Sequence, residues 1–388
     1  MRNRKNIDNQ GVSTGIWDQN REMPKLTNLA FQALERMYDT ESKLFAFNWD
    51  RKLKRLGPIS ERYSIIAAIG LQSANMRGAN IPFSVPDILS SLLNRLPAIE
   101  KRGPGDLSLL LWVFSLAHAG IEKRILELLI PDNRFHILLK DLHSRPIVES
   151  AWTLTCFSFL YRNGYDKLVT AELCESIADV IMDAFNQETC LFSYCTPKNH
   201  FRTFFGYRNE FGNFASQAYS IYALSTYYQA SGNEEALSIA RRCADKICSF
   251  QGPYGQFWWI YNAKRGTIAD KYPVFSVHQD GMGPMALKKL ATVSKKDYSD
   301  SIKKSFDWLY GTNEMGISMI LWEEGVILRC IQRRAPLSKL SYHLNMMRSR
   351  FHMPCVKNDN RLPIGGLEIL NETRPYHMGW MLLFFYDS

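Results

Sequence analysis

Two kinds of helical segment alternate along this chain, and that alternation constrains its fold more than any other feature. Segments near residues 64–75, 107–118, 151–161, 215–229 and 281–292 are apolar or small on nearly every face, as in SIIAAIGL, LSLLLWVFSLA and AWTLTCFSFLY. A helix with no polar face must be enclosed on all sides. Near 86–97, 121–130, 171–186, 234–250 and 299–310 the apolar residues recur at helical spacing on one face only, as in AELCESIADVIMDAF and NEEALSIARRCADKICSF. Those helices belong outside. An inner ring of parallel helices, wrapped by an outer ring running the other way, satisfies both kinds at once. The expected fold is all-α: an α/α toroid of helical hairpins, with an ordinary bundle or a superhelical solenoid as the competing arrangement.

The enclosed segments begin near Glu61, Asp106, Glu149, Phe214 and Asp280, in steps of about 45, 43, 65 and 66 residues, each one hairpin plus a loop of variable length. The two long steps contain aromatic, glycine-bearing inserts, CLFSYCTPKNHFRTFFGYRNEFG and QGPYGQFWWIYNAKRGTIADKYP, which are expected to carry short strands over one mouth of the barrel. Little of the chain alternates with period two, so strand content should be low. Residues 1–20, opening MRNRKNIDNQ, offer no apolar periodicity to bury and are expected to form a flexible segment ahead of one toroid domain spanning 21–388.

Composition narrows the function classes. The formal charge of +9 would suit nucleic acid, an acidic glycan or an anionic membrane face, but the basic residues are scattered and no nucleic-acid motif accompanies them. No apolar run follows the N-terminus as a signal peptide requires, and none approaches the roughly 18 residues of a transmembrane helix. The eight cysteines show no CxxC pattern and no paired histidines at zinc-finger spacing, so they read as thiols of a soluble cytoplasmic protein, with no metal expected. GxGxxG after a strand, GxxxxGK[ST], HExxH and GxSxG are all missing, so no cofactor is expected and dinucleotide, P-loop, zinc-protease and acyl-transfer readings lack support.

Two stretches, NFASQAYSIYALSTYYQASGNEEALSIARRCADKICSFQGPYGQFWW and SFDWLYGTNEMGISM, resemble the hairpin units of six-hairpin, (α/α)6-toroid enzymes. That superfamily includes glycoside hydrolases, unsaturated-uronide hydrolases, polysaccharide lyases and sugar epimerases. The likeness implies the toroid from about residue 60 onward and a small-molecule or oligosaccharide substrate. QGPYGQF also resembles the glutamine-to-aromatic repeat of triterpene cyclases and prenyltransferases. The aspartate-rich acid motif of the cyclases is missing, as are the zinc-ligand motifs of protein prenyltransferases.

In a toroid the inner-helix N-termini open on one face and aim unsatisfied N–H groups into a common funnel. The residues at those starts become neighbours: Ser60, Glu61, Arg62 and Tyr63; Asp106; Glu149; Asn213 and Gln217; His278, Gln279 and Asp280. His377, opening the last apolar segment, is a candidate to join them. Carboxylates and amides bind sugar hydroxyls, while Arg62 and the helix ends can hold a carboxylate. Ordinary capping also accounts for Ser60, Asp106 and Glu149, because acidic and hydroxyl residues complement a helix start. The cluster of His278, Gln279 and Asp280 is denser than capping needs. Asp280 is therefore the first choice for acid or base, with Glu149 or Glu61 opposite and His278 assisting. Trp258, Trp259 and Tyr261 offer flat faces for a sugar, although tryptophan is as often core. The expected activity is acid/base chemistry on a glycan or uronic-acid-containing saccharide, hydrolysis ahead of elimination or epimerisation. An isoprenoid cyclase or transferase and a non-catalytic toroid scaffold are the alternatives.

Overall fold

The structure, a computed structural model, describes residues 18–118, 120, 122–164, 169–197, 210–334, 337–350 and 366–387. Of the segment expected to be flexible, residues 1–17 lie outside the described residues; Asp18 caps the first helix by accepting from Asn20 N at 3.0 Å, and Gln19 and Asn20 open it. Part of the insert after Cys190 also lies outside them.

The described chain runs outside and inside by turns. Outer α1 (Gln19–Met37) leads to inner α2 (Glu61–Met76); outer α3 (Val85–Asn94) and the short α4 (Leu96–Glu100) lead to inner α5 (Pro104–Ala117). Outer α6 (Glu122–Leu129) and α7 (Phe135–Ser144) precede inner α8 (Ile147–Arg162), and outer α9 (Ala171–Met182) precedes inner α10 (Phe214–Ser231). Outer α11 (Glu234–Ser249) is followed by inner α12 (Gly283–Ser294), which a π turn at His278–Met282 introduces. Outer α13 (Ser299–Leu309), and then α14 (Leu337–Arg350), which packs on loop strands, come before the last inner helix, α15 (Pro375–Tyr386). Each inner helix packs on the next, and α15 returns to α2 and to α1, so the ring closes. Among the described residues this makes six inner helices, the sixth being α15, and the fold is the expected (α/α)6 toroid.

Burial follows the two sequence patterns. From Pro104 to Leu116 every residue of α5 is buried, whereas α11 buries one face through Leu237, Ile239, Ala240, Cys243, Ala244 and Ile247. Each fully buried large apolar side chain contributes roughly 1.5–3 kcal/mol. The small polar residues of the enclosed helices fit because their hydroxyls bond within the helix: Ser73 donates to Ile69 O at 2.8 Å, Thr155 to Ala151 O at 2.9 Å and Ser225 to Ile221 O at 2.7 Å. Among the described residues Ser150, Ser158 and Ser220 are exceptions, their hydroxyls buried without a hydrogen-bond partner.

The ring closes at its tightest point where α2 meets α15. A Cβ on Gly70 would be driven into the carbonyl of Gly379, and one on Gly379 into the carbonyl of Ile66. Both obstacles are backbone, which cannot rotate away. Gly379→Ala should therefore cost about 1–3 kcal/mol or more, outweighing the helix-propensity gain of alanine. Thermal unfolding checks this, and an unchanged Tm would contradict backbone contact at the seam.

Strands are short and stay in the loops. The three-stranded sheet of Phe211–Asn213, Ile260–Asn262 and Thr267–Asp270 joins the ends of the two aromatic inserts, and α14 lies against it.

Candidate active site

The first turns of neighbouring inner helices meet on one face of the ring. Arg62 in α2 reaches α5, where its Nε donates to Asp106 Oδ1 at 2.5 Å. The Asp106 side chain is 1% exposed while Arg62 remains 35% exposed, so the guanidinium stands between the carboxylate and solvent. Asp106 Oδ2 has no hydrogen bond among the described residues, only Arg102 Nε at 3.9 Å. On α8, Glu149 accepts from Arg145 Nη1 at 3.3 Å and keeps 12% of its side chain exposed.

Both carboxyls are raised above their ordinary pKa. For Asp106 burial is the largest cause, opposed by Arg62 and Arg102, with the negative charge of Glu61 adding to the rise. For Glu149 burial again comes first; Arg145 and Arg62 oppose it, Asp106 adds to it, and the Gly105 N–H turned toward the carboxylate opposes it. Two carboxyls in one electrostatic field, both near Arg62, can hold a proton on one and a charge on the other.

Aromatic rings border this pair. Trp152, one turn beyond Glu149, has the Arg62 guanidinium 5.5 Å from its ring centre and meets Tyr219 edge-on at 5.4 Å. Tyr219 also packs on Trp380 at 5.5 Å, and Trp152 Nε1 is buried without a hydrogen-bond partner among the described residues. Tyr63 lies between Phe47, stacked at 5.0 Å, and Tyr376 at 4.5 Å. Arg374 covers the Phe47 ring at 4.2 Å and donates to the Tyr63 hydroxyl at 3.1 Å. Glu372 accepts from Arg374 Nε at 3.0 Å, from Asn48 Nδ2 at 2.7 Å and from Arg329. Two guanidiniums thus share one carboxylate. Tyr63, raised mainly by burial, feels both Arg329 and Arg62, so this positive cluster adjoins the Asp106–Glu149 pair.

The other expected residues are placed differently. Glu61 pairs with Arg95 Nη1 at 3.0 Å and with Arg102. Asp280 has no side-chain exposure, and both its oxygens face His377 Nε2, at 2.6 and 2.8 Å. Burial, the largest cause, raises its pKa against the pull of His377. Its charge is felt by Tyr310, at the end of α13, whose hydroxyl donates to Glu22 of outer helix α1 at 2.9 Å. His278 packs between Phe214 at 4.6 Å and Phe275 at 5.1 Å; burial first, then His377 and Arg329, push its pKa down to about 3, which leaves the ring neutral.

Gln217 and Gln279 are loop latches. Gln217 Oε1 accepts from Phe192 N at 2.8 Å and its Nε2 donates to Phe192 O at 2.8 Å. Gln279 repeats the device on the other insert, accepting from Phe257 N at 3.0 Å and donating to Phe275 O at 3.1 Å. Trp258 donates to Phe250 O at 2.8 Å, and Tyr261 stacks on Phe250 at 6.0 Å, so both rings pack under the insert. Trp259 is only half-buried, against a small cluster of Phe211, Ile260, Ala269 and Met346. Trp152, Tyr219, Arg329, Glu372, Arg374 and Tyr376 were not among the expected site residues. Trp152 stands one helical turn from Glu149, and Arg374 and Tyr376 flank the start of α15 in RPYHMGW, which are the signals that point to them.

Among the described residues no group of three histidine, cysteine or acidic side chains is placed to hold a metal ion. No described helix is long and apolar enough to cross a membrane.

The closed ring defines the architectural class, a six-hairpin α/α toroid. An unsaturated glucuronyl hydrolase specific for heparin is similar to this chain with a TM-score of 0.58 at 12% identity, over 95% of this chain and 96% of that one. A glycosyl hydrolase family 88 protein from Bacteroides vulgatus is similar with a TM-score of 0.56 at 10% identity, over 95% and 98%. A polysaccharide lyase is similar with a TM-score of 0.54 at 9% identity, over 93% and 96%. At these identities the likeness establishes the fold. No protein-family model matches the sequence, and no curated protein matches it.

Proposed function

We propose that this chain is a carbohydrate-active enzyme that cleaves a uronic-acid-containing saccharide by acid/base chemistry at the N-terminal mouth of the ring. The observation that carries the reading is the Asp106–Glu149 pair: two carboxyls on adjacent inner-helix starts, both raised in pKa, near one half-exposed arginine. Glu149 is the better acid, because it touches solvent and can regain its proton from water. Asp106, held on Arg62, is the better carboxylate.

In hydrolysis Glu149 gives its proton to the glycosidic oxygen as the bond to the anomeric carbon breaks. Asp106 either takes a proton from the attacking water or bonds the anomeric carbon and is later released by water. Trp152, whose ring lies beside Arg62, is the aromatic side chain that borders the pair. Arg329 and Arg374, with one carboxylate between them, supply the positive charge that a uronate needs. That charge also weighs against an apolar isoprenoid as the substrate. The neighbours named as a glucuronyl hydrolase and a polysaccharide lyase support the same substrate class. The seven described cysteines are all free thiols, which supports the cytoplasm as the proposed location.

The test is a panel of uronic-acid-containing and neutral oligosaccharides of equal length. Hydrolysis predicts one new reducing end for each bond cut in the uronide set and no new ultraviolet-absorbing double bond; elimination predicts both. Faster cleavage of the neutral set, or no cleavage of either, would overturn the reading.

A further inference from the structure

The sequence RGPGD enters α5 through two glycines, and each is occupied by a side chain from the next hairpin. Gly103 has φ 115°, a backbone conformation that few residues other than glycine adopt, and a Cβ there would be driven into the Arg145 guanidinium. A Cβ on Gly105 would stand 2.7 Å from Glu149 Cγ and 2.9 Å from its Cβ. Arg145 Nη1 donates to Arg102 O at 3.0 Å and to Glu149 Oε2 at 3.3 Å, while its Nε donates to Asp141 Oδ1 at 2.8 Å. Asp106 follows Gly105 directly, so whatever seats Glu149 on Gly105 also sets its separation from Asp106.

We propose that the Gly103–Pro104–Gly105 turn and Arg145 form a positioning device that holds Glu149 at a set distance from Asp106 and sets the pH at which Glu149 gives up its proton. This rests on the reading of Asp106 and Glu149 as the reacting pair. The charged groups acting on Glu149 are Arg145 beside it, Arg62 from α2 and Asp106 from α5; Asp141 is engaged with Arg145. Arg145 acts through Glu149 and is a positioning residue. Its guanidinium favours the carboxylate form, so removing it should raise the Glu149 pKa.

The experiment follows the carboxyl carbon of Glu149 by ¹³C NMR in glutamate-labelled full-length protein, with the signal assigned by its loss in Glu149→Gln, alongside the pH profile of kcat/KM. In Arg145→Gln the titration midpoint and the alkaline limb of the profile should both move to higher pH. Arg145→Lys keeps the charge and should recover much of the midpoint. Gly105→Ala should lower kcat by roughly tenfold to a hundredfold with little change in KM, since about 1 Å of misplacement is enough for such a loss. An unmoved midpoint in both Arg145 variants, or full kcat in Gly105→Ala, would overturn the proposal. If Glu149→Gln itself keeps its activity, the functional reading fails, while the titration still decides whether Arg145 controls Glu149.

Discussion

Glu149→Gln is expected to lower turnover by roughly a hundredfold or more on any saccharide the wild type cleaves, and Asp106→Asn by a similar factor. Each amide keeps the size of the side chain and removes the proton or the charge on which the chemistry depends. Glu149→Gln separates chemistry from folding with particular clarity. Because the folded-state pKa of Glu149 is raised, its contribution to stability is fully present below the ordinary carboxyl pKa and is lost as pH rises through the raised value. At neutral pH the wild type carries that cost and the glutamine variant does not. The variant should therefore melt at the same temperature or higher while losing activity, and its stability should vary less between mildly acid and neutral pH. Calorimetry across that range checks the sign. A lower Tm at neutral pH would mean that the ion pair with Arg145 outweighs the burial cost.

The second large effect falls on stability. Asp280 and His377 form a buried hydrogen-bonded pair with 0% and 4% side-chain exposure, so Asp280→Ala leaves the imidazole without its partner. Removing one member of such a pair costs about 3–5 kcal/mol, which for a protein of this size lowers Tm by roughly 4–6 °C. Asp280→Asn retains a hydrogen bond and should cost about 1–3 kcal/mol. Turnover per folded molecule should stay within a few-fold of wild type in the asparagine variant. A hundredfold loss of turnover at unchanged Tm would instead return Asp280 to the chemistry.

The ring was legible because enclosure leaves a mark on composition. A helix such as α5, buried from Pro104 to Leu116, cannot be mistaken for an amphipathic one, and five of the six inner helices follow from that contrast. α15 is as apolar as the others, but the regular spacing of hairpins is broken ahead of it by α14 and the loops around it. The convergence of Arg62, Asp106 and Glu149 followed from the rule that parallel helix starts share a face. The order proposed here, with Asp280 behind them, did not. His278, Gln279 and Asp280 form a denser polar cluster than capping needs, yet a π turn carries them, and its extra residue per turn re-aims side chains in a way that helical spacing does not reveal. Asp280 consequently meets His377, a partner 97 residues away. The tryptophans of the aromatic insert read as platforms because their fate depends on one distant acceptor. Once the Trp258 indole N–H finds the Phe250 carbonyl, the ring becomes packing. Arg329 and Glu372 were invisible for the converse reason, and Arg374 was marked only by its place at the start of α15. Each is an ordinary loop charge until the ring closure brings α15 beside α2 and sets them around Tyr63.

The account turns on where the saccharide lies, and a crystal of the Glu149→Gln variant soaked with a uronic-acid oligosaccharide measures that directly. The expected density crosses the mouth over Arg62 and Trp152, with a glycosidic oxygen between Asp106 and Gln at position 149 and a carboxylate turned toward Arg329 and Arg374. Density confined to the aromatic insert around Trp259, or a saccharide whose nearest carboxyl is neither Asp106 nor the residue at 149, would contradict it.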